Sequence, residues 1–145
     1  MRRLLRAVLL SAVLLAPGAA HAVEVLLDLG VGYWFENAWQ FDIHARIDQK
    51  LAKYVSVGVR PGVLMNVRPG VEIGLPVDAV VRFHIPHINF DVLGGMAFLF
   101  GNPSWVRGHV AAGFSVPIAR GFAIGGEAGW LQNAAQLLLR FAFTF

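Results

Sequence analysis

The stretch Trp39-Gln40-Phe41-Asp42-Ile43-His44-Ala45-Arg46-Ile47-Asp48 alternates apolar and polar side chains from end to end without an exception. Successive side chains of an extended chain point to opposite faces, so a period of two predicts a strand that is greasy on one side and charged on the other. A helix would need its apolar positions about 3.6 residues apart, which this stretch does not offer.

The same period runs outward in both directions. Upstream, residues 24–34 set Val25, Leu27, Leu29, Val31 and Tyr33 against Glu24, Leu26, Asp28, Gly30 and Gly32. Downstream, residues 54–64 set Val55, Val57 and Val59 against Tyr54, Ser56, Gly58 and Arg60. Residues 71–85 then set Val71, Ile73, Leu75, Val77, Ala79, Val81 and Phe83 against Glu72, Gly74, Asp78, Arg82 and His84. Four further strands are predicted at about 89–100, 105–116, 122–131 and 136–145. The breaks at 36–38, 48–53, 65–70, 86–88, 101–104, 117–121 and 132–135 suit hairpins and are too short for crossover helices. Pro61 and Pro76 fall inside strands. Proline cannot donate to a ladder, so each predicts a bulge or a strand end.

Arg2, Arg3 and Arg6, the apolar run Ala7 to Ala16, then Pro17, Gly18 and Ala20-His21-Ala22 have the layout of a secretory signal peptide, with cleavage expected after Ala22. The chain then divides into a removed segment, 1–22, and a single strand-rich domain, 23–145. Three of the twelve Lys and Arg residues lie in the first segment, which leaves nine basic side chains to face nine acidic ones. The domain is formally neutral, and nothing in its charge points to a nucleic-acid partner. The sequence contains no cysteine, so disulfides, thiolate metal sites and acylation of an N-terminal cysteine are excluded.

A soluble β-sandwich would also show two-faced strands, but three features favour a membrane barrel. The polar faces are rich in Gly, Ala and Arg and nearly free of Lys, which suits a crowded lumen. With the N-terminus on the periplasmic side, Trp34, Trp39, Trp105 and Trp130 fall at one membrane boundary, joined by Phe35, Phe98 and Phe100. Tyr54, Phe83, Phe90, Phe114, Phe122 and Phe145 fall at the other, giving two aromatic girdles. The chain also ends in Phe141-Ala142-Phe143-Thr144-Phe145.

In that last strand, and in pattern over all of residues 23–145, the chain resembles the small bacterial outer-membrane β-barrel proteins of the OmpA and OmpX types. The resemblance implies an all-β, eight-stranded antiparallel up-and-down transmembrane barrel in the outer membrane of a Gram-negative cell. It implies contact with outer-membrane lipid and lipopolysaccharide, and assembly by a machinery that reads Phe141, Phe143 and Phe145. The short exterior loops depart from the long adhesive loops of many such proteins and speak against an adhesin.

Turning the apolar face to lipid places Asp28, Asp42, Arg46, Arg60, Glu72, Asp78, Arg82, Asp91, Arg107, Glu127 and Arg140 inside, with His44, His84 and His109. An Arg or Lys facing lipid near the midplane costs about 2–4 kcal/mol, so this sorting is a strong constraint. Centring the hairpins on the breaks predicts Asp28 opposite Arg46, Arg60 opposite Glu72, Arg82 opposite Asp91 and Glu127 opposite Arg140, with Asp42 also opposite Arg60. Eight strands leave an interior that side chains fill, so a structural plug is expected over a narrow porin-like conduit.

The sequence declares no cofactor and no catalytic constellation. Ser115 and His109 share a face but stand six residues apart, about 20 Å at the strand rise. The segment Trp130-Leu131-Gln132-Asn133-Ala134 resembles the His-x-Ser-Asn-Ala segment of lipid A 3-O-deacylases, yet Trp130 and Gln132 occupy the places of the catalytic His and Ser. His84 and His87 lie on opposite faces of an extended turn and do not converge on a metal. The expectation is a non-enzymatic barrel with a structural or interaction role. Docking against another envelope protein through flat spots at Gly94 and Gly108 is the third alternative.

Overall fold

The computed structural model describes residues 23–101 and 105–145; the expected export segment, residues 1–22, lies outside the described residues. Eight strands follow in order: β1 (Val23–Trp34), β2 (Ala38–Ala52), β3 (Val55–Arg68), β4 (Gly70–Ile85), β5 (Ile88–Phe100), β6 (Val106–Ala119), β7 (Phe122–Leu131) and β8 (Ala134–Thr144). Each pairs antiparallel with its chain neighbour, and β8 returns to β1, so the sheet closes into a barrel without an edge. The Phe145 amide donates to Val25 O at 3.1 Å and extends that seam to the last residue.

The start of β1, the end of β8 and the β2–β3, β4–β5 and β6–β7 turns lie at one end of the barrel, called here the terminal end. The other four connections lie at the far end. Two strands reach further than their sequence suggests, because β2 runs to Ala52 and β3 to Arg68, leaving tight connections at 53–54 and 69. The polar run Asp48-Gln49-Lys50 reads as a loop, yet Asp48 keeps the inward parity of β2 and is 1% exposed.

Pro61 and Pro76 cause neither a bulge nor a strand end. Across Pro61 the β2–β3 register is unbroken, with His44 opposite Gly62 and Ile47 opposite Val59. Pro76 sits opposite Ala97 in an equally continuous β4–β5 ladder. The missing donors are accommodated as local gaps in pairing. The register shifts fall instead at the terminal end, between Lys50 and Ala52 and between Pro117 and Ala119.

The wall is inverted relative to a water-soluble protein. Ile43, Val59, Val77, Val92, Val110 and Leu139 are among the large apolar side chains that stand exposed on its outside. Among the described residues, no charged side chain points outward from a strand. A continuous apolar belt of this extent far exceeds the few hundred Å2 that a soluble monomer tolerates. Inside, glycine lets opposing backbones close in: a Cβ at Gly32 would lie 1.9 Å from Leu137 O, and one at Gly125 would lie 1.9 Å from Phe114 O.

Candidate functional site

The bore is built in three levels. At its middle, inward positions of all eight strands converge on a belt of charges, Asp28, Asp42, Arg46, Arg60, Asp78, Arg82, Asp91, Glu127 and Arg140 with His109. Glu72 and Arg107, also expected inside, point inward nearer the far end, Glu72 beside Asn66 and Arg68 and Arg107 beside Glu36. All the charged residues expected inside are buried except Asp91, which is nearly so. Their partners are mostly not the ones that hairpin arithmetic predicts.

Asp28 stands opposite His44, Arg60 opposite Asp78, Asp42 opposite Leu64, and Arg140 opposite Gly125. Glu72 stands opposite Asn66. Of the predicted cross-strand pairs only Arg82 with Asp91 is in register, and it is bidentate at 2.8 and 2.9 Å. The errors arise because the β2–β3 and β3–β4 turns are tighter and lie further along the chain than the sequence breaks suggest, and because the β1–β2 and β7–β8 turns are centred slightly earlier.

Closure supplies other partners, across the bore. Arg60 on β3 reaches Glu127 on β7, four strands away and therefore on the opposite wall, at 2.7 Å. The same guanidinium donates to Asp78 at 3.0 Å. Arg46 on β2 spans to Asp91 on β5 at 2.9 Å and also donates to Asp48 at 2.8 Å. Arg140 donates to Asp42 at 2.7 Å and lies 3.6 Å from Glu127, so the Glu127 and Arg140 expected to pair do meet, off register. His109 bridges Asp78, at 2.7 Å, and Gln136, at 2.6 Å. The cavities left within this belt measure about 10 and 20 Å3. One water needs about 10–15 Å3, so each of these cavities holds about one.

The far end is sealed by an apolar cluster of Trp34, Ala38, Leu64, Ala97, Leu99 and Leu131. Trp34 was expected in the outer girdle and is not there. It is 0% exposed, because its even number puts it on the inward face of β1 with Asp28 and Gly32. Arg107 and Arg68 lie over its ring at 4.8 and 5.4 Å, and Glu36 holds both guanidiniums, at 3.3 and 3.8 Å. Cations over the face of an indole are attracted by its quadrupole. Trp39, Trp105 and Trp130 do stand outside at this end, with Phe35 and Phe100. Tyr54, Phe83, Phe90, Phe114 and Phe145 stand outside toward the terminal end, and Phe122 packs against Phe143 with ring centroids 5.1 Å apart.

The terminal end is open. A vestibule with lobes of about 400 and 470 Å3 enters the bore there, and His84, Glu24, Thr144 and Phe145 line both lobes. His84 hydrogen-bonds Ser56 through Nε2 and Asn89 through Nδ1, the latter at 3.0 Å. Sequence reasoning missed this trio, having weighed only Ser115 with His109 and set that pair aside as about 20 Å apart. Ser115 Oγ has no hydrogen-bond partner among the described residues, while both nitrogens of His109 are engaged elsewhere. Half of the trio was within reach: the register that pairs Arg82 with Asp91 also pairs His84 with Asn89. Ser56 was hidden by the misjudged β3–β4 turn, which in fact sets it opposite Arg82 and diagonal to His84. His87 sits in the turn with φ of 69°. Among the described residues no three His, Cys, Asp or Glu side chains converge to hold a metal ion.

No protein-family model matches the chain, and no curated protein matches it in sequence. Solved structures do match it in shape. The outer membrane enzyme PagL superposes with a TM-score of 0.68 at 14% identity, covering 81% of this chain and 98% of that one. This is the fold of a transmembrane β-barrel. A de novo designed transmembrane β-barrel gives 0.66 at 19% identity, covering 84% of this chain and 95% of the design. The N-terminal barrel domain of Pseudomonas aeruginosa OprF gives 0.59 at 15% identity, covering 84% and 97% respectively. The likeness to a designed sequence is instructive: what these barrels share is the fold, a closed transmembrane β-barrel.

Proposed function

We propose that this barrel resides in the bacterial outer membrane, with both termini in the periplasm and the far-end connections outside, and acts there as a sealed structural or interaction element rather than a conduit. One observation carries the reading: the apolar wall faces outward while the bore is filled by mutually paired charges and stoppered by Trp34. A conduit would need a water-filled path, and the belt has room for one or two waters.

Lipid, including lipopolysaccharide on the outer leaflet, would cover the wall between the two aromatic rings. Phe141, Phe143 and Phe145 would present the assembly signal; they lie on the outer face of β8, where an assembly machine can reach them before the seam with β1 closes. Loss of residues 1–22 on export belongs to the same reading.

Two measurements test it. Separation of cell membranes on a density gradient should place the chain with the outer membrane, as a species whose gel mobility changes on boiling. Planar-bilayer recordings of the folded barrel should show no stable conductance. Stepwise currents of constant size would replace the sealed reading with a narrow pore.

A further inference from the structure

The vestibule holds an arrangement that the central belt does not: a nucleophile, a base and a group that orients the base. Asn89 Oδ1 can only accept, so the proton of the His84 imidazole resides on Nδ1. Nε2 is then left with its lone pair toward Ser56 and accepts the hydroxyl proton. That is the division of labour in a serine hydrolase, in which the third residue fixes the tautomer of the second.

The surroundings favour the same chemistry. Ser56 is paired directly with Lys50 on β2 and with Arg82 on β4; both line the vestibule, Arg82 is also held by Asp91 at 2.8 and 2.9 Å, and Glu24 and Asp48 line the lobe beside Lys50. Positive charge held beside a nucleophile favours the oxygen that becomes negative when a carbonyl is attacked. The lobe that Ser56 and His84 share has a volume of about 470 Å3, within the usual range for small-ligand sites, and Val23 and Phe145 give it an apolar rim.

We infer that Ser56, His84 and Asn89 form a hydrolytic site for short-chain carboxylic esters that enter from the terminal end. Ser56 Oγ attacks the acyl carbon while its proton passes to His84 Nε2. The ester C–O bond breaks and the alcohol leaves with that proton, so the acyl group is held on Ser56. Water then attacks the acyl-serine and gives a proton to His84. The carboxylic acid departs and Ser56 regains its hydrogen, for a net reaction of ester plus water to acid plus alcohol. Ser56 and His84 are the catalytic residues and Asn89 is a positioning residue. The site departs from the non-enzymatic role expected from the sequence but leaves the sealed bore intact, because substrate and products use one mouth.

The test uses the full chain expressed in bacteria, extracted in detergent and checked for folding by its gel mobility before and after boiling. A fluorophosphonate probe should label Ser56 in the wild type, as mapped by mass spectrometry, and p-nitrophenyl butyrate should be turned over. His84→Gln should slow both at least tenfold. Asn89→Ala should slow them and Asn89→Asp should restore them, which a purely structural role does not require.

Ser56→Cys keeps a nucleophile of similar size and supplies a second readout. Its alkylation by iodoacetamide at about pH 6, where an isolated cysteine is almost wholly the unreactive thiol, should exceed that of Ser56→Cys/His84→Gln at least tenfold. A folded wild type that takes no label, a label on any other residue, or equal alkylation with and without His84 would each overturn the assignment.

Discussion

The two ends of the bore are built on opposite principles. At the far end Trp34 is wholly enclosed by Leu64, Leu99 and Leu131 and by two guanidiniums that Glu36 ties in place. At the terminal end the same tube, eight strands in the same order, opens into a vestibule lined by Ser56, His84, Lys50 and Arg82. Between them lies the belt of arginines and carboxylates. The difference teaches that closing a small barrel and equipping it are separable tasks. One end and the middle are given to closure, which leaves the other end free to carry polar groups beside an open cavity.

The sharpest way to break that division is to remove the partition between the ends. Arg60 is the hub, holding Glu127 from the opposite wall and Asp78 from the adjacent strand. Arg60→Met would take the shared guanidinium from two buried carboxylates, leaving Glu127 with Arg140 at 3.6 Å and Asp78 with His109, a loss of about 3–5 kcal/mol. Urea titration of the barrel in lipid vesicles, followed by gel mobility, should show that loss, and Glu127→Gln on top of it should recover part of it. A loss below about 1 kcal/mol would mean that water already reaches the belt.

Next in size is the stopper. Trp34→Ala removes a fully buried indole, a change that costs about 3 kcal/mol or somewhat more in a packed core. Its electrical consequence is predicted to be nil, because the belt beneath still blocks the bore. Conductance in Trp34→Ala but not in the wild type would show that the stopper, and not the belt, is the seal.

How much of this contrast could be read from the chain follows from what period two encodes. It fixes which face a residue occupies, so the inward placement of Arg46, Arg60 and Glu127 was legible. So, in principle, was that of Trp34, whose position continues the polar face of β1. Its assignment to the girdle rested on residue type over parity, and the structure favours parity. Period two says little about where a strand ends when polar residues face a lumen, as Asp48 does, and a turn misplaced by three residues re-pairs every position along the hairpin. It is silent about contacts across the bore. Arg60 meets Glu127 only because eight strands close, and nothing local to either residue announces the other. The Ser56, His84 and Asn89 trio fell between these cases, with one pair in register and one lost to a turn.

The smallest expected effect sharpens the comparison most, because it sets a like truncation at the open end against Trp34→Ala. Ser56→Ala removes one hydroxyl and its hydrogen bond to His84. In an enclosed site the orphaned imidazole nitrogen would be costly, but His84 lines both lobes of the vestibule, so water can replace the lost partner. The expected loss is therefore about 0.5–1.5 kcal/mol in the same urea titration. A loss approaching that of Trp34→Ala would mean that Ser56 is core rather than equipment, and that the terminal end is closed by packing just as the far end is.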